Sequence, residues 1–124
     1  MTVLEGVFAI CRLPTDVNAS PVVPGWIGGI FWSITHTADE LSLICLEEMV
    51  PEGVLREGGY MVLKVLGPLS FSLTGIMAGI SSTLADAGIS IFALSTYDTD
   101  YILIKADQKD MAVEALQKRG IIFV

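Results

Sequence analysis

Leu73, Ile76, Met77, Ile80, Leu84 and Ala87 fall at i, i+3, i+4, i+7, i+11 and i+14, the spacing of one apolar face of a helix. The segments around this stripe leave few folds open. Before it, "YMVLKVL" (Tyr60–Leu66) reads as a strand ended by Gly67-Pro68. After it, Ile89–Thr96 and Tyr101–Lys105 read as two strands joined across Tyr97-Asp98-Thr99-Asp100. Ser70 suits the N-cap of the helix and Gly88 the position just past its C-terminus. A second helix is predicted from about Asp107 to Lys118-Arg119, whose cations suit the negative end of its dipole, with Gly120 closing it. Gly120–Val124 is predicted as a last short strand. The order is β-α-β-β-α-β, the ferredoxin-like arrangement of the α+β class, with helices on one face of an antiparallel sheet.

Residues 1–58 read as a degenerate copy of the same unit. Val7–Leu13, Ile30–Thr37 and Leu41–Leu46 have strand character, the last two joined by Ala38-Asp39-Glu40. Where a first helix belongs, Pro14, Pro21, Pro24, Gly25, Gly28 and Gly29 stand instead, so that helix is reduced or lost. Pro51, Gly53 and Gly58 leave room for only a turn or two of helix after Glu47. The predicted division is therefore a degenerate half, 1–58, and a complete unit, 59–124. A half this small buries too little apolar surface to stand alone.

Charge and hydropathy exclude several functions. With 52% hydrophobic and 17% charged residues, the chain forms a core. A net charge of −7 with scattered Lys and Arg argues against nucleic acid and against an anionic membrane surface. Val17–Ala38 is uncharged but broken by Pro21 and Pro24, and Val65–Ala85 opens on Gly67-Pro68 and carries many hydroxyls, so neither reads as a membrane span. Glu5 before the first apolar run, without a basic segment, does not resemble a signal peptide. Cys11 and Cys45 lie in apolar strands and read as buried reduced thiols, which makes a cytoplasmic protein the default expectation.

The stretches "EGGYMVLKVLGPLSFSLTGI" and "LADAGISIFALSTYDTDYILIK" resemble the small bacterial tandem ACT-domain proteins, which are related in fold to the cytosolic arginine sensor of animal cells. The resemblance spans the chain and is most specific across Glu57–Lys105. It implies two ACT-like units, an amino-acid-binding regulatory role without catalysis, and pairing of units side by side, here as a homodimer. It also implies that ligand lies near the loop between first strand and first helix. In the arginine sensor, the positions matching Asp100 and the backbone of Thr96 and Tyr97 hold ligand.

Physical chemistry gives that location a rationale. Unpaired N–H groups at the predicted helix start, around Leu69, Ser70 and Phe71, attract a carboxylate. An aspartate supplies the opposite pole for an ammonium group, a contact worth about 1.5–3 kcal/mol. Asp98 reads as a turn residue capping its own backbone, whereas for Asp100 a ligand role and a hairpin role both stand. Whether the turn lies at the same end of the sheet as the helix start stays open.

Catalysis and metal binding find little support. His36, the lone histidine, reads as structural, and no nucleophile elbow is present. Asp98-Thr99-Asp100 lacks the further ligands a metal needs, and Gly67-Pro68-Leu69-Ser70 lacks the lysine of a phosphate loop. No cofactor is expected. The alternative to a ligand-binding module is an ACT-type dimerisation or protein-interaction module without its own ligand.

Overall fold

The computed structural model describes residues 1–14, 23–66 and 75–124. In chain order the elements are β1 (Thr2–Val3), β2 (Phe8–Leu13), β3 (Ser33–His36), β4 (Leu41–Leu46), β5 (Leu55–Lys64), α1 (Ile76–Asp86), β6 (Phe92–Ser95), β7 (Asp100–Lys105) and α2 (Lys109–Lys118). Single 3-10 turns occupy Glu47–Met49 and Ala106–Gln108. The architecture is α+β, with antiparallel strands and two helices. Contacts divide the chain into two compact units, one of Gly6–Gly59 and one of Met1–Glu5 with Tyr60–Val124.

In the unit of Gly6–Gly59, β2 and β3 both pair antiparallel with β4, in the order β3-β4-β2. Alternation sends Ala9, Cys11 and Leu13 of β2 and Leu41, Leu43 and Cys45 of β4 to one buried face, capped by Val50. No helix longer than the 3-10 turn occurs among the described residues of this unit. The Arg56 guanidinium donates to the carbonyls of Val50 at 3.1 Å and Pro51 at 2.6 Å, and through Nε to Val54, which ties down the loop before β5. β5 begins earlier than predicted, at Leu55 instead of Tyr60. Gly58, within β5, serves close approach: a Cβ there would stand 1.7 Å from a Glu47 carboxylate oxygen.

Cys11 and Cys45 are free, buried and in hydrogen-bond contact. Burial, reinforced by the neighbouring Cys11, pushes the Cys45 thiol up to about 11. The unfolded chain then loses this proton at lower pH than the native one, so the contribution of this thiol to stability is constant below the ordinary thiol value and is lost as pH rises toward its native one. The expected result is a loss of unfolding free energy between about pH 8.5 and about 11. Urea titrations across this window check it. The loss should be smaller in Cys45→Ala than in the wild type, and identical pH profiles would contradict the assignment.

In the second unit, β7 pairs antiparallel with β5 and with β6, and β1 pairs with β5 at Thr2↔Lys64 and Val3↔Leu63. The core joins Met61, Leu63 and Val65 to Ile80 and Leu84 of α1, Ile102 and Ile104 of β7, and Ala112 and Leu116 of α2. Ile76, Met77 and Ala87 pack partly buried against it, as the helical stripe predicts; Leu73 and the expected N-cap Ser70 lie outside the described residues. The described part of α1 starts at Ile76, and Gly75 before it stands at φ +83°, outside helical backbone.

Both helices end alike. Gly88 and Gly120 take positive φ, their N–H groups bond Ala85 and Gln117, and the next residues, Ile89 and Ile121, bond Leu84 and Leu116. Each pair, Ile89 with Leu84 and Ile121 with Leu116, also packs in the core, so the cap buries apolar surface as it satisfies carbonyls.

The predicted last strand, Gly120–Val124, is not formed as a strand. β1 instead pairs with β5, and the tail bonds to the N-terminal segment: the Met1 ammonium donates to the Ile122 carbonyl at 2.6 Å and Val124 N–H to the Met1 carbonyl at 2.9 Å. This explains why Met1–Glu5 belongs with residues 60–124. Among the described residues no helix is long and apolar enough to cross a membrane.

Candidate functional site

The β6–β7 turn lies at the C-terminal end of β5. Val65, just past β5, donates its N–H to the Asp100 carbonyl at 2.9 Å, and its own carbonyl accepts the Thr99 hydroxyl. The turn therefore sits at the end of β5 from which the chain leads toward α1, which resolves the point left open above. Thr99 is the one buried polar side chain among the described residues. Sequence reasoning passed over it between two aspartates, although a β-branched residue flanked by charges is the pattern of one inward-facing position.

Within the turn, Thr96 N–H donates to the Thr99 carbonyl at 2.8 Å, and the Thr96 hydroxyl accepts the Thr99 N–H at 3.4 Å. The side-chain capping expected of Asp98 thus falls to Thr96, and the Asp98 carboxylate makes no hydrogen bond among the described residues. A threonine hydroxyl at the first turn position competes directly for the same N–H groups. Tyr97 points outward, 81% exposed.

Asp100 opposes Ser95 in the hairpin register, and its Oδ1 accepts the Ser95 hydroxyl at 2.5 Å. The hairpin role of Asp100 is thus real. One oxygen satisfies it, and Oδ2 has no donor among the described residues. The carboxylate is only partly exposed, so an ammonium group reaching Oδ2 meets less competing water than at an open surface. Leu69, Ser70 and Phe71 lie outside the described residues, and the helix start that can be described is Gly75-Ile76. Thr96, Tyr97 and Asp100 are brought together by the hairpin itself. No group of three His, Cys, Asp or Glu among the described residues is arranged to hold a metal ion.

A family model described as the ACT domain matches residues 55–118, and a model of an N-terminal domain matches residues 6–53. The chain is 40% identical over 126 residues to the Pongo abelii protein named cytosolic arginine sensor for mTORC1 subunit 1, covering 95% of this chain and 38% of that one. It spans only 32% of the bovine protein of the same name. Among solved structures, an Agrobacterium tumefaciens protein superposes with a TM-score of 0.88 at 35% identity, covering 99% of this chain and 90% of that one. Aspartate kinase from Clostridium acetobutylicum shares the fold, with a TM-score of 0.65 at 14% identity over 90% of this chain and 32% of the kinase. On the match across residues 55–118, the chain belongs to the ACT-domain family, whose units are regulatory, ligand-binding modules and not catalytic domains.

Proposed function

We propose that this chain is an amino-acid sensor module, holding the ligand's ammonium group on Asp100 beside the Thr96–Tyr97 backbone. The observation that carries the reading is the half-used carboxylate: Asp100 Oδ1 is engaged by Ser95, while Oδ2 has no donor among the described residues. The hairpin that holds it is pinned to Val65 at both ends of that residue's peptide units, so the acceptor is positioned before ligand arrives. The name of the matched relatives makes arginine the first amino acid to try. In this reading the carboxylate end of the ligand meets amide groups in the Leu69–Phe71 region, and the working form is a homodimer. Phe92 on β6, 38% exposed, leaves apolar surface for a second copy.

A ligand that binds only the folded state adds RT ln(1 + [L]/Kd), about 2.7 kcal/mol at a hundredfold excess over Kd. Thermal unfolding in the presence of each of the twenty amino acids tests the proposal. At least one is expected to raise the midpoint, and further with concentration. No shift for any of them at millimolar concentration would remove the amino-acid assignment and leave the protein-interaction alternative standing.

A further inference from the structure

A cavity of about 360 Å³ opens beside Val65, between the start of α1 and the segment that follows α2. Ile76, Ile80, Ile121 and Ile122 supply apolar walls; among the described residues Arg119 is the one charged side chain lining it, and the Met1 ammonium, also at its wall, is engaged by the Ile122 carbonyl. This arginine reads in the sequence as a helix-end cation, but its surroundings are more particular. Its guanidinium rests on the bare backbone of Gly79 in α1, where a Cβ would stand 2.8 Å from Nη2 and 3.4 Å from Cζ. The adjacent Lys118 pairs with Glu114 at 3.1 Å. The Arg119 backbone N–H donates to the Leu116 carbonyl, but its guanidinium makes no hydrogen bond or ion pair with any described residue.

We propose that this cavity binds a small monocarboxylate with an apolar tail, its carboxylate held by the Arg119 guanidinium. A planar guanidinium matches a carboxylate through two parallel N–H···O bonds, and with the Met1 ammonium already spent on the Ile122 carbonyl, one guanidinium balances a single negative charge. A multiply charged anion fits poorly, because the other described side chains lining the cavity are apolar and the chain already carries a net charge of −7. The volume lies near the lower bound of ligand pockets, roughly 300–1,000 Å³, which favours a tail on the order of five or six carbons. The site goes beyond the amino-acid reading: it needs no ammonium group, and Asp100 does not line it.

Sodium hexanoate is the probe, titrated into the full chain and followed by amide chemical shifts, with hexylamine as the charge-reversed control. Saturable binding is expected, with the largest shifts at Gly79, Ile80 and Ile121, and no binding of hexylamine. Arg119→Gln is expected to weaken hexanoate about tenfold or more, and Arg119→Lys less. Arg119 is exposed, so both variants should keep the wild-type amide spectrum away from the cavity, which the same experiment shows. Asp100→Asn should leave hexanoate affinity unchanged, which separates this site from the amino-acid reading. Absence of saturation in the wild type, equal affinity in Arg119→Gln, or hexylamine binding as tightly as hexanoate would overturn the proposal.

Discussion

Leu84→Ala is expected to lower the unfolding free energy of the second unit by about 3 kcal/mol, within the range of about 2–5 kcal/mol for leucine truncations in cores. Leu84 is completely buried, on the face of α1 that meets the strands. It also stands at the joint of the helix end, where its carbonyl accepts Ile89 N–H and its side chain shares the core with Ile89. Truncation therefore loses transfer free energy and leaves a cavity where the backbone is held from both sides and relaxes little. Met111, 46% exposed, supplies the comparison: Met111→Ala should cost under about 0.5 kcal/mol. Urea unfolding measures both. Equal effects of the two substitutions would contradict the packing described for α1.

Thr99→Val should cost about 1–3 kcal/mol, although the two side chains have nearly the same shape. The methyl group that replaces the hydroxyl leaves the buried Val65 carbonyl without its donor from the turn. Thr99→Ser keeps the donor and should lose much less. Hydrogen exchange localises the effect, because Val65 N–H is bonded to the Asp100 carbonyl and Thr96 N–H to the Thr99 carbonyl. Both amides are expected to lose protection in Thr99→Val. Wild-type protection in that variant would mean that the hairpin holds its position without Thr99.

The parts of this fold written in local periodicity were legible. The apolar stripe of α1, the glycines past both helices and the hairpin between β6 and β7 each reflect interactions within a few residues of chain. What escaped is decided by partners distant in sequence. β1 has two residues, and nothing in "TVLE" announces that it pairs with Leu63 and Lys64. The segment "IIFV" has sound strand character, but it bonds to Met1 across 121 positions and forms no strand of its own. The strand was expected only from Tyr60, because the Glu47 carboxylate that occupies the space of a side chain at Gly58 cannot be seen locally.

The candidate site divides in the same way. Asp100 stood out as the aspartate for which a ligand role and a hairpin role both remained. Its Ser95 partner follows from hairpin register and was within reach of the sequence. Thr99 acts on a carbonyl 34 residues away, and Arg119 lies over a helix that precedes its own, so neither contact leaves a local signature.

The most direct test of the amino-acid reading is a calorimetric titration of the stabilising amino acid into the wild type and into Asp100→Asn. The substitution keeps the shape and can retain the Ser95 contact while removing the charge that faces the ligand's ammonium group. Loss of a charge-assisted hydrogen bond of about 1.5–3 kcal/mol corresponds to roughly ten- to a hundredfold weaker binding. Weakening of that size, with an unchanged unfolding midpoint in the absence of ligand, is the expected result. Equal affinity of the two proteins would contradict the placement of the ammonium group on Asp100.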